Sequence, residues 1–125
     1  MSRLLVVDDD IQMQSALEAA LRHKGFAVET ASNGIEASRK LEEFEVAAVL
    51  TDLRMPGMNG LQLIKALREL PTYKTTPILI LARDASDVNI KKAESLGASG
   101  FIEKPFTPER LLSVVNQVLV DSYVN

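Results

Sequence analysis

The chain has 125 residues, of which 46% are hydrophobic and 25% charged, as expected for one ordinary globular domain. It contains no cysteine and one histidine, His23, which excludes a disulfide framework, thiolate catalysis, cysteine-ligated zinc and a multi-histidine metal site. The net charge of −3 excludes a general basic footprint for nucleic acid, and the apolar runs are far shorter than the ~18 residues of a membrane span. Without a signal-peptide pattern, the sequence predicts a cytoplasmic protein that works through carboxylates, lysines and hydroxyls.

Short apolar runs rich in β-branched residues alternate along the chain with segments of helical period. Strands are predicted, in chain order, at residues 4–7, 26–30, 47–51, 78–81 and 100–103. The helices are predicted to follow them, with the first ending at Gly25, the second beginning at Asn33, the third after Asn59-Gly60, the fourth near Ser86 and the fifth at Thr107.

This alternation predicts an α/β domain, residues 1–125, with a five-stranded parallel sheet and helices on both faces. Right-handed crossovers leave few topologies, and the doubly wound order 2-1-3-4-5 with five helices, as in the flavodoxin-like and CheY-like folds, is the natural choice. Within the second helix, the apolar period predicts a buried face of Ile35, Ala37, Leu41 and Phe44.

Ligands of such a sheet bind beyond the carboxyl ends of the strands. There the sequence places Asp8, Asp9 and Asp10 after strand one, Asp52 after strand three, residues 82–84 after strand four and Lys104 after strand five. At least three carboxylates and one ammonium should therefore meet in one crevice. Asp10 is the one we expect to cap the first helix.

The charges of this crevice predict a bound cation. Asp8, Asp9 and Asp52 against Lys104 leave a net charge of −2. Two carboxylates ~4 Å apart repel by about 4 kcal/mol at an effective dielectric of 20, so they favour a cation or a proton. Mg²⁺ is the best candidate, because it uses carboxylates together with water and phosphate oxygens. A carboxylate can also attack phosphorus and form an aspartyl phosphate.

Three motifs together carry a family resemblance that covers essentially the whole chain. They are residues 6–10 (VVDDD), 50–60 (LTDLRMPGMNG) and 104–106 (KPF). In this combination the chain resembles the receiver domains of bacterial two-component response regulators, and is closest in style to CheY-like single-domain regulators.

The resemblance implies a role for each motif residue. Asp52 would accept a phosphoryl group from the histidine of a sensor kinase, and Lys104 would contact the phosphoryl oxygens. Asp8, Asp9 and Asp52 would hold Mg²⁺ together with the backbone carbonyl of Arg54. The resemblance also implies a cis peptide bond between Lys104 and Pro105. Such a protein catalyses its own phosphorylation and dephosphorylation but turns over no free substrate.

One position departs from the family pattern. Strand four of a receiver usually ends in threonine or serine, whereas this chain has Ala82, which donates no hydrogen bond. We therefore expect phosphorylation to be coupled to the output surface weakly or by another route. Phe101 occupies the position of the partner aromatic on strand five, and Arg54 and Asp84 occupy positions associated with the lifetime of the phosphorylated state.

The resemblance further implies a sensor kinase or phosphotransfer protein as one partner. An output protein or fused effector would bind through helix four, strand five and helix five. A weak homodimer through the same surface is also possible. No direct nucleic-acid or membrane binding is expected of this domain.

Three alternatives stay open at this point. A haloacid-dehalogenase-like Mg²⁺ phosphatase would use Asp8 as nucleophile in a D-x-D motif with Asp10. A flavodoxin-like cofactor binder would share the fold, although the acidic loop after strand one lacks a phosphate cradle. A receiver that has lost its switch would act as a phosphate sink or a docking module.

Overall fold

The computed structural model describes residues 2–55, 57–83 and 88–124. The elements are, in chain order, β1 (Arg3–Val7), α1 (Ile11–His23), β2 (Ala27–Ala31), α2 (Gly34–Glu43), β3 (Ala48–Asp52), α3 (Gly60–Glu69), a short 3-10 helix (Pro71–Tyr73), β4 (Ile78–Ala82), α4 (Val88–Ser95), β5 (Gly100–Glu103) and α5 (Pro108–Val124). The predicted start of the fourth helix near Ser86 lies outside the described residues.

The five strands form one parallel sheet in the order β2-β1-β3-β4-β5, which confirms the predicted topology. In the register of the sheet, Val7 pairs with Thr51, and Asp52 pairs with Leu81. The chain segments that follow β1, β3 and β4 therefore leave the sheet at the same edge. This edge carries the acidic residues that the sequence analysis singled out.

Both faces of the sheet are covered, because alternate strand residues point to opposite sides. Leu5, Val7 and Ile80 join one buried cluster with residues of α2, α3 and α4. Leu4 and Leu81 join the other cluster with residues of α1 and α5. The three central strands β1, β3 and β4 are thus mostly apolar on both sides, as expected for a doubly wound parallel sheet.

Short polar side chains cap the N-termini of α1, α2, α3 and α5. The carboxylate of Asp10 accepts hydrogen bonds from the backbone N–H groups of Gln12 and Met13, at 2.9 and 3.3 Å. This confirms Asp10 as the cap of α1. Asn33 caps α2 in the same way, and Asn59 forms a reciprocal capping box at the start of α3.

The predicted buried face of α2 was partly wrong. Ala37 and Leu41 are buried as expected, but 54% of Ile35 is exposed to solvent. Since successive helical residues are about 100° apart, Ile35 lies about 200° from Ala37 and projects from the opposite side. Phe44 follows the helix and is half-buried, with the guanidinium of Arg3 4.6 Å from the centre of its ring. Among the described residues, no helix has the length and apolar character needed to cross a membrane.

Candidate functional site

The side chains of Asp8, Asp9 and Asp52 meet at the carboxyl edge of the sheet. One carboxylate oxygen from each lies within 4.8 Å of the others. Asp8 is fully buried, Asp52 is partly buried and Asp9 is exposed. This arrangement exists because β1 and β3 are neighbours that end at the same edge, which brings together residues more than forty positions apart in the sequence.

Both oxygens of the buried Asp8 carboxylate have hydrogen-bond partners. Its Oδ1 accepts a hydrogen bond from the backbone N–H of Asp10 at 2.9 Å, and its Oδ2 accepts one from Lys104 Nζ at 3.0 Å. The backbone N–H of Asp8 donates to the carbonyl of Ala31 at 3.0 Å. Asp8 is therefore held from the loop that follows it, from the loop after β5 and from the end of β2.

Gln14 is a site residue that the sequence analysis missed. Its side-chain amide donates to the backbone carbonyls of Asp8 and Ala31, at 2.8 and 3.0 Å, and to Ser32 Oγ at 3.1 Å. Only 8% of the residue is exposed. One glutamine of α1 thus joins the loops that follow β1 and β2, directly behind the acidic residues.

Lys104 is the cation that the structure places beside these carboxylates. Its Nζ lies 3.0 Å from Asp8 Oδ2 and 3.6 Å from Asp52 Oδ2, and 11% of the side chain is exposed. The peptide bond between Lys104 and Pro105 is cis, as the resemblance implied. The backbone N–H of Lys104 donates to the carbonyl of Ala82 at 2.6 Å. The loop after β5 is thereby joined to the end of β4.

The environment of Asp52 opposes its ionisation. Burial raises the pKa of this carboxyl above its usual range, and the nearby carboxylates of Asp8 and Asp9 act in the same direction. The ammonium of Lys104 lowers this pKa, as does the backbone N–H of Arg54, which donates to Asp52 Oδ1 at 3.3 Å. Desolvation is the largest of these effects, so a cation near Asp52 would relieve an unfavourable charge.

The donor set fits Mg²⁺. Three carboxylates against one ammonium leave the excess negative charge that a divalent ion would neutralise. All the convergent side-chain ligands are hard oxygens, and Asp9 and Asp52 remain accessible from solvent. Asp8 sits deepest and is already oriented by its two hydrogen bonds. The carbonyl of Arg54, predicted as a further ligand, stays a prediction.

A cavity of about 380 Å³ opens beside Asp52. Its lining residues are Asp9, Asp52, Leu53, Arg54, Leu81, Ala82 and Arg83. Ala82 is 4% exposed and its side chain is a methyl group, so the end of β4 contributes no hydroxyl. Phe101, on the adjacent strand β5, is 37% exposed. Asp84, the other residue at a position associated with the lifetime of the phosphorylated state, lies outside the described residues.

The geometry disfavours the phosphatase alternative. A D-x-D phosphatase needs Asp8 as an accessible nucleophile, but Asp8 is fully buried and bonded through both oxygens. The second aspartate of that motif, Asp10, is engaged as the cap of α1. Asp52, in contrast, lines the open cavity.

Comparison with known proteins agrees with this arrangement. The family model described as the response regulator receiver domain matches residues 4–116. The chain belongs to the response regulator receiver family. A receiver domain is a signalling module rather than an enzyme that turns over a free substrate.

Two curated relatives of this receiver are longer proteins. The transcriptional regulatory protein CpxR homolog of Haemophilus influenzae is 37% identical over 119 residues, which are 95% of this chain and 51% of the relative. The probable transcriptional regulator ycf29 of Pyropia yezoensis is 29% identical over 94% of this chain and 53% of the relative. The receiver thus spans about half the length of the curated relatives it matches.

Solved structures of similar proteins share the whole fold. The chemotaxis response regulator CheY4 of Vibrio cholerae is 36% identical with a TM-score of 0.90, over 94% of this chain and 98% of that one. A CheY-like receiver domain protein from Methanospirillum hungatei is 27% identical with a TM-score of 0.91, over 98% and 97% of the two chains. The CheY-like assignment made from the three motifs is therefore confirmed.

Proposed function

We propose that Asp52 accepts a phosphoryl group from the histidine of a sensor kinase or phosphotransfer protein in two-component signal transduction. The observation that carries the proposal is the contrast between the two central aspartates. Asp52 lines the cavity with Lys104 Nζ 3.6 Å from its Oδ2, whereas Asp8 is fully buried behind it. Asp52 is therefore the carboxylate that an incoming phosphoryl group can reach.

In the proposed step, a carboxylate oxygen of Asp52 attacks the phosphorus of phosphohistidine. The new P–O bond forms as the P–N bond breaks, and the electron pair returns to the imidazole nitrogen. The leaving group is neutral imidazole when the other ring nitrogen of the phosphohistidine carries a proton. Lys104 lies where it can bind one phosphoryl oxygen, and the backbone N–H of Arg54 approaches the Asp52 carboxylate from the loop. Water later hydrolyses the acyl phosphate and restores the carboxylate.

Asp8, Asp9 and Asp52, with the backbone carbonyl of Arg54, would hold Mg²⁺. When bound, the ion supplies positive charge that neutralises the carboxylates and the phosphoryl oxygens. The support for this assignment is the convergence of three carboxylates whose charge one lysine only partly balances.

We assign residues 1–125 to a single receiver domain that acts in the cytoplasm. The output surface would comprise α4, β5 and α5, and the exposed Phe101 lies on β5. This surface would bind an output protein or a fused effector. The same surface would serve a weak homodimer. Nucleic-acid binding, where the whole protein has it, would belong to another domain, because this one carries a net charge of −3.

Ala82 favours a second candidate function. The end of β4 has no hydroxyl that could donate a hydrogen bond to the charged phosphoryl group. Phosphorylation of Asp52 would therefore move the output surface less than in a receiver with threonine or serine at this position. The domain would then serve as a phosphate sink or a docking module. Spectra of residues in β5 and α5, with and without a bound phosphoryl mimic, distinguish the two functions. A large shift favours the switch, and an unchanged spectrum favours the sink.

The first experiment is to incubate the protein with Mg²⁺ and acetyl phosphate and to measure its intact mass. We expect one phosphoryl adduct that needs Mg²⁺ and is absent in Asp52→Asn. Borohydride reduction, which converts an acyl-phosphorylated aspartate to homoserine, should place the modification at residue 52. An adduct at residue 8, or no adduct although Mg²⁺ binds, would overturn the proposal.

A further inference from the structure

The hydrogen-bond donors around Asp52 are unevenly distributed. Lys104 Nζ lies 3.6 Å from Oδ2, and the backbone N–H of Arg54 donates to Oδ1 at 3.3 Å. The neighbouring strand β4 ends in Leu81 and Ala82, whose buried side chains have no polar atom. A phosphoryl group on Asp52 would therefore meet donors from the lysine and from the loop after β3, but no side-chain donor from β4 itself.

Arg83 is the residue that follows this apolar strand end. It lines the same cavity as Asp9, Asp52 and Ala82. The residue is exposed, and in the part of the chain that the structure describes its side chain forms no hydrogen bond or ion pair. Five N–H donors of one exposed side chain are thus available at this cavity.

The charge of the phosphorylated site calls for a further cation. A phosphoryl group brings a charge of about −2. With the carboxylates of Asp8 and Asp9 and the ammonium of Lys104, the site would then carry about −3. One Mg²⁺ would leave about −1, which the two arginines that line the cavity, Arg54 and Arg83, could share. One guanidinium would bring the site close to neutrality, and guanidinium groups bind phosphoryl oxygens through two parallel hydrogen bonds.

We propose that the Arg83 guanidinium binds the phosphoryl oxygens of phosphorylated Asp52 from the β4 side, where Ala82 supplies no donor. This inference rests on the proposed phosphoacceptor function. It has two consequences. Phosphorylation would draw the residue after β4 towards Asp52, and the guanidinium would cover the phosphorus and slow its hydrolysis. Arg83 would thus set both the affinity for the phosphoryl group and its lifetime.

The test uses beryllofluoride, a stable mimic of a phosphoryl group on a carboxylate, at a fixed Mg²⁺ concentration with ¹⁹F NMR as the readout. Arg83→Ala should bind it about three- to tenfold more weakly than the wild type, and Arg83→Lys should lie between them because a lysine is a point charge. Arg39→Ala removes the same charge from an exposed position of α2 and should stay within about twofold, because distant exposed charges are screened.

Binding of Mg²⁺ alone provides a second readout with the opposite sign. Removing a cation beside the carboxylates should leave the Mg²⁺ affinity of Arg83→Ala unchanged or higher. A variant whose site is merely damaged would bind both Mg²⁺ and beryllofluoride more weakly. Parallel loss of the two affinities would therefore overturn the assignment to Arg83.

Ala82→Thr completes the design, because a hydroxyl at this position would bond to the same phosphoryl group. We expect Arg83→Ala to be less harmful in the Ala82→Thr background than alone, a non-additivity that reveals a shared partner. Strict additivity would contradict the inference. If the wild type binds beryllofluoride and Arg83→Ala binds it equally well, only the role of Arg83 is overturned. A wild type that neither binds beryllofluoride nor accepts phosphate at Asp52 overturns the proposed function.

Discussion

Lys104 and Asp8 form an ion pair with 3.0 Å between Nζ and Oδ2, although the two residues are 96 positions apart in the sequence. The carboxylate is fully buried and 11% of the lysine side chain is exposed. This pair joins the loop after β5 to the loop after β1 across the β3 and β4 ends. It also places the ammonium next to Asp52, so the same lysine compensates the buried charge of Asp8 and lies 3.6 Å from Asp52 Oδ2.

We predict that Lys104→Met has opposite effects on folding and on metal binding. Without Mg²⁺, the variant should lose about 3 kcal/mol of unfolding free energy, because Asp8 is left buried without its counter-ion. Its affinity for Mg²⁺ should rise, since no ammonium then competes with the ion for the carboxylates. Urea denaturation in a chelating buffer and a Mg²⁺ titration measure the two effects.

Lys65→Met is the control for this prediction, because it makes the same replacement at an exposed position of α3. We expect it to change the unfolding free energy by less than about 0.5 kcal/mol. Weaker Mg²⁺ binding by Lys104→Met than by Lys65→Met would show that the lysine builds the metal site rather than competing with it.

The pKa of Asp52 predicts a pH-dependent effect of its removal. Burial raises this pKa in the folded protein, so the folded state holds the proton more tightly than the unfolded state. The contribution of Asp52 to the unfolding free energy therefore falls as pH rises from the unfolded pKa of 3.8 through the raised folded value, and this loss is complete above it. The side chain of Asp52→Asn has no carboxylate that must be buried in its charged form. We therefore expect this variant to be more stable than the wild type at neutral pH without metal.

Urea denaturation of both proteins at several pH values, in a chelating buffer, measures this difference. We expect the advantage of Asp52→Asn to shrink towards pH 3.8, where the carboxyl of the wild type regains its proton. Mg²⁺ at about 100 times its Kd should stabilise the wild type by about 2.7 kcal/mol and the variant less. A variant that is less stable than the wild type at every pH would refute the argument.

Strand-end residues could be predicted from the sequence because topology alone determines where they meet. Once the order 2-1-3-4-5 is inferred, Asp8, Asp52 and Lys104 must lie at one edge, and the structure places them there. Asp10 was equally predictable, because capping depends only on the adjacent turn of helix.

Gln14 and Tyr73 could not be predicted, because their roles depend on distant backbone groups. A glutamine in an amphipathic helix is typical of the solvent side, yet Gln14 is buried, with its amide bonded to the carbonyls of Asp8 and Ala31. The hydroxyl of Tyr73 donates in the same way to carbonyls at the end of α2. Only the folded chain brings those acceptors within reach.

The role of Gln14 leads to a third prediction. Gln14→Leu should reduce the unfolding free energy by about 2 kcal/mol, because the buried carbonyl of Asp8 loses its side-chain donor and that of Ala31 keeps only the N–H of Asp8. It should also weaken Mg²⁺ binding, since the backbone of Asp8 is no longer fixed from behind. Gln12→Leu makes the same replacement at an exposed position of α1 and should change neither quantity. Equal effects of the two variants would contradict a positioning role.

The close packing of Gly60 against Asp52 gives the last prediction. A Cβ atom on Gly60 would lie 2.5 Å from the backbone oxygen of Asp52 and 2.9 Å from Leu53 Cα. Helix propensity alone would favour alanine by about 1 kcal/mol at most. Because backbone atoms cannot rotate away, we expect the clash to prevail and Gly60→Ala to lose about 2 kcal/mol of unfolding free energy.

The same substitution should also displace Asp52 from Lys104 and slow phosphorylation by acetyl phosphate. Gly100→Ala is the control, because its added Cβ would meet only Leu79 Cδ2, at an ordinary 3.5 Å. We expect that variant to be as stable and as readily phosphorylated as the wild type. If Gly60→Ala is phosphorylated at the wild-type rate despite its loss of stability, the approach of α3 serves packing alone and does not position the carboxylate.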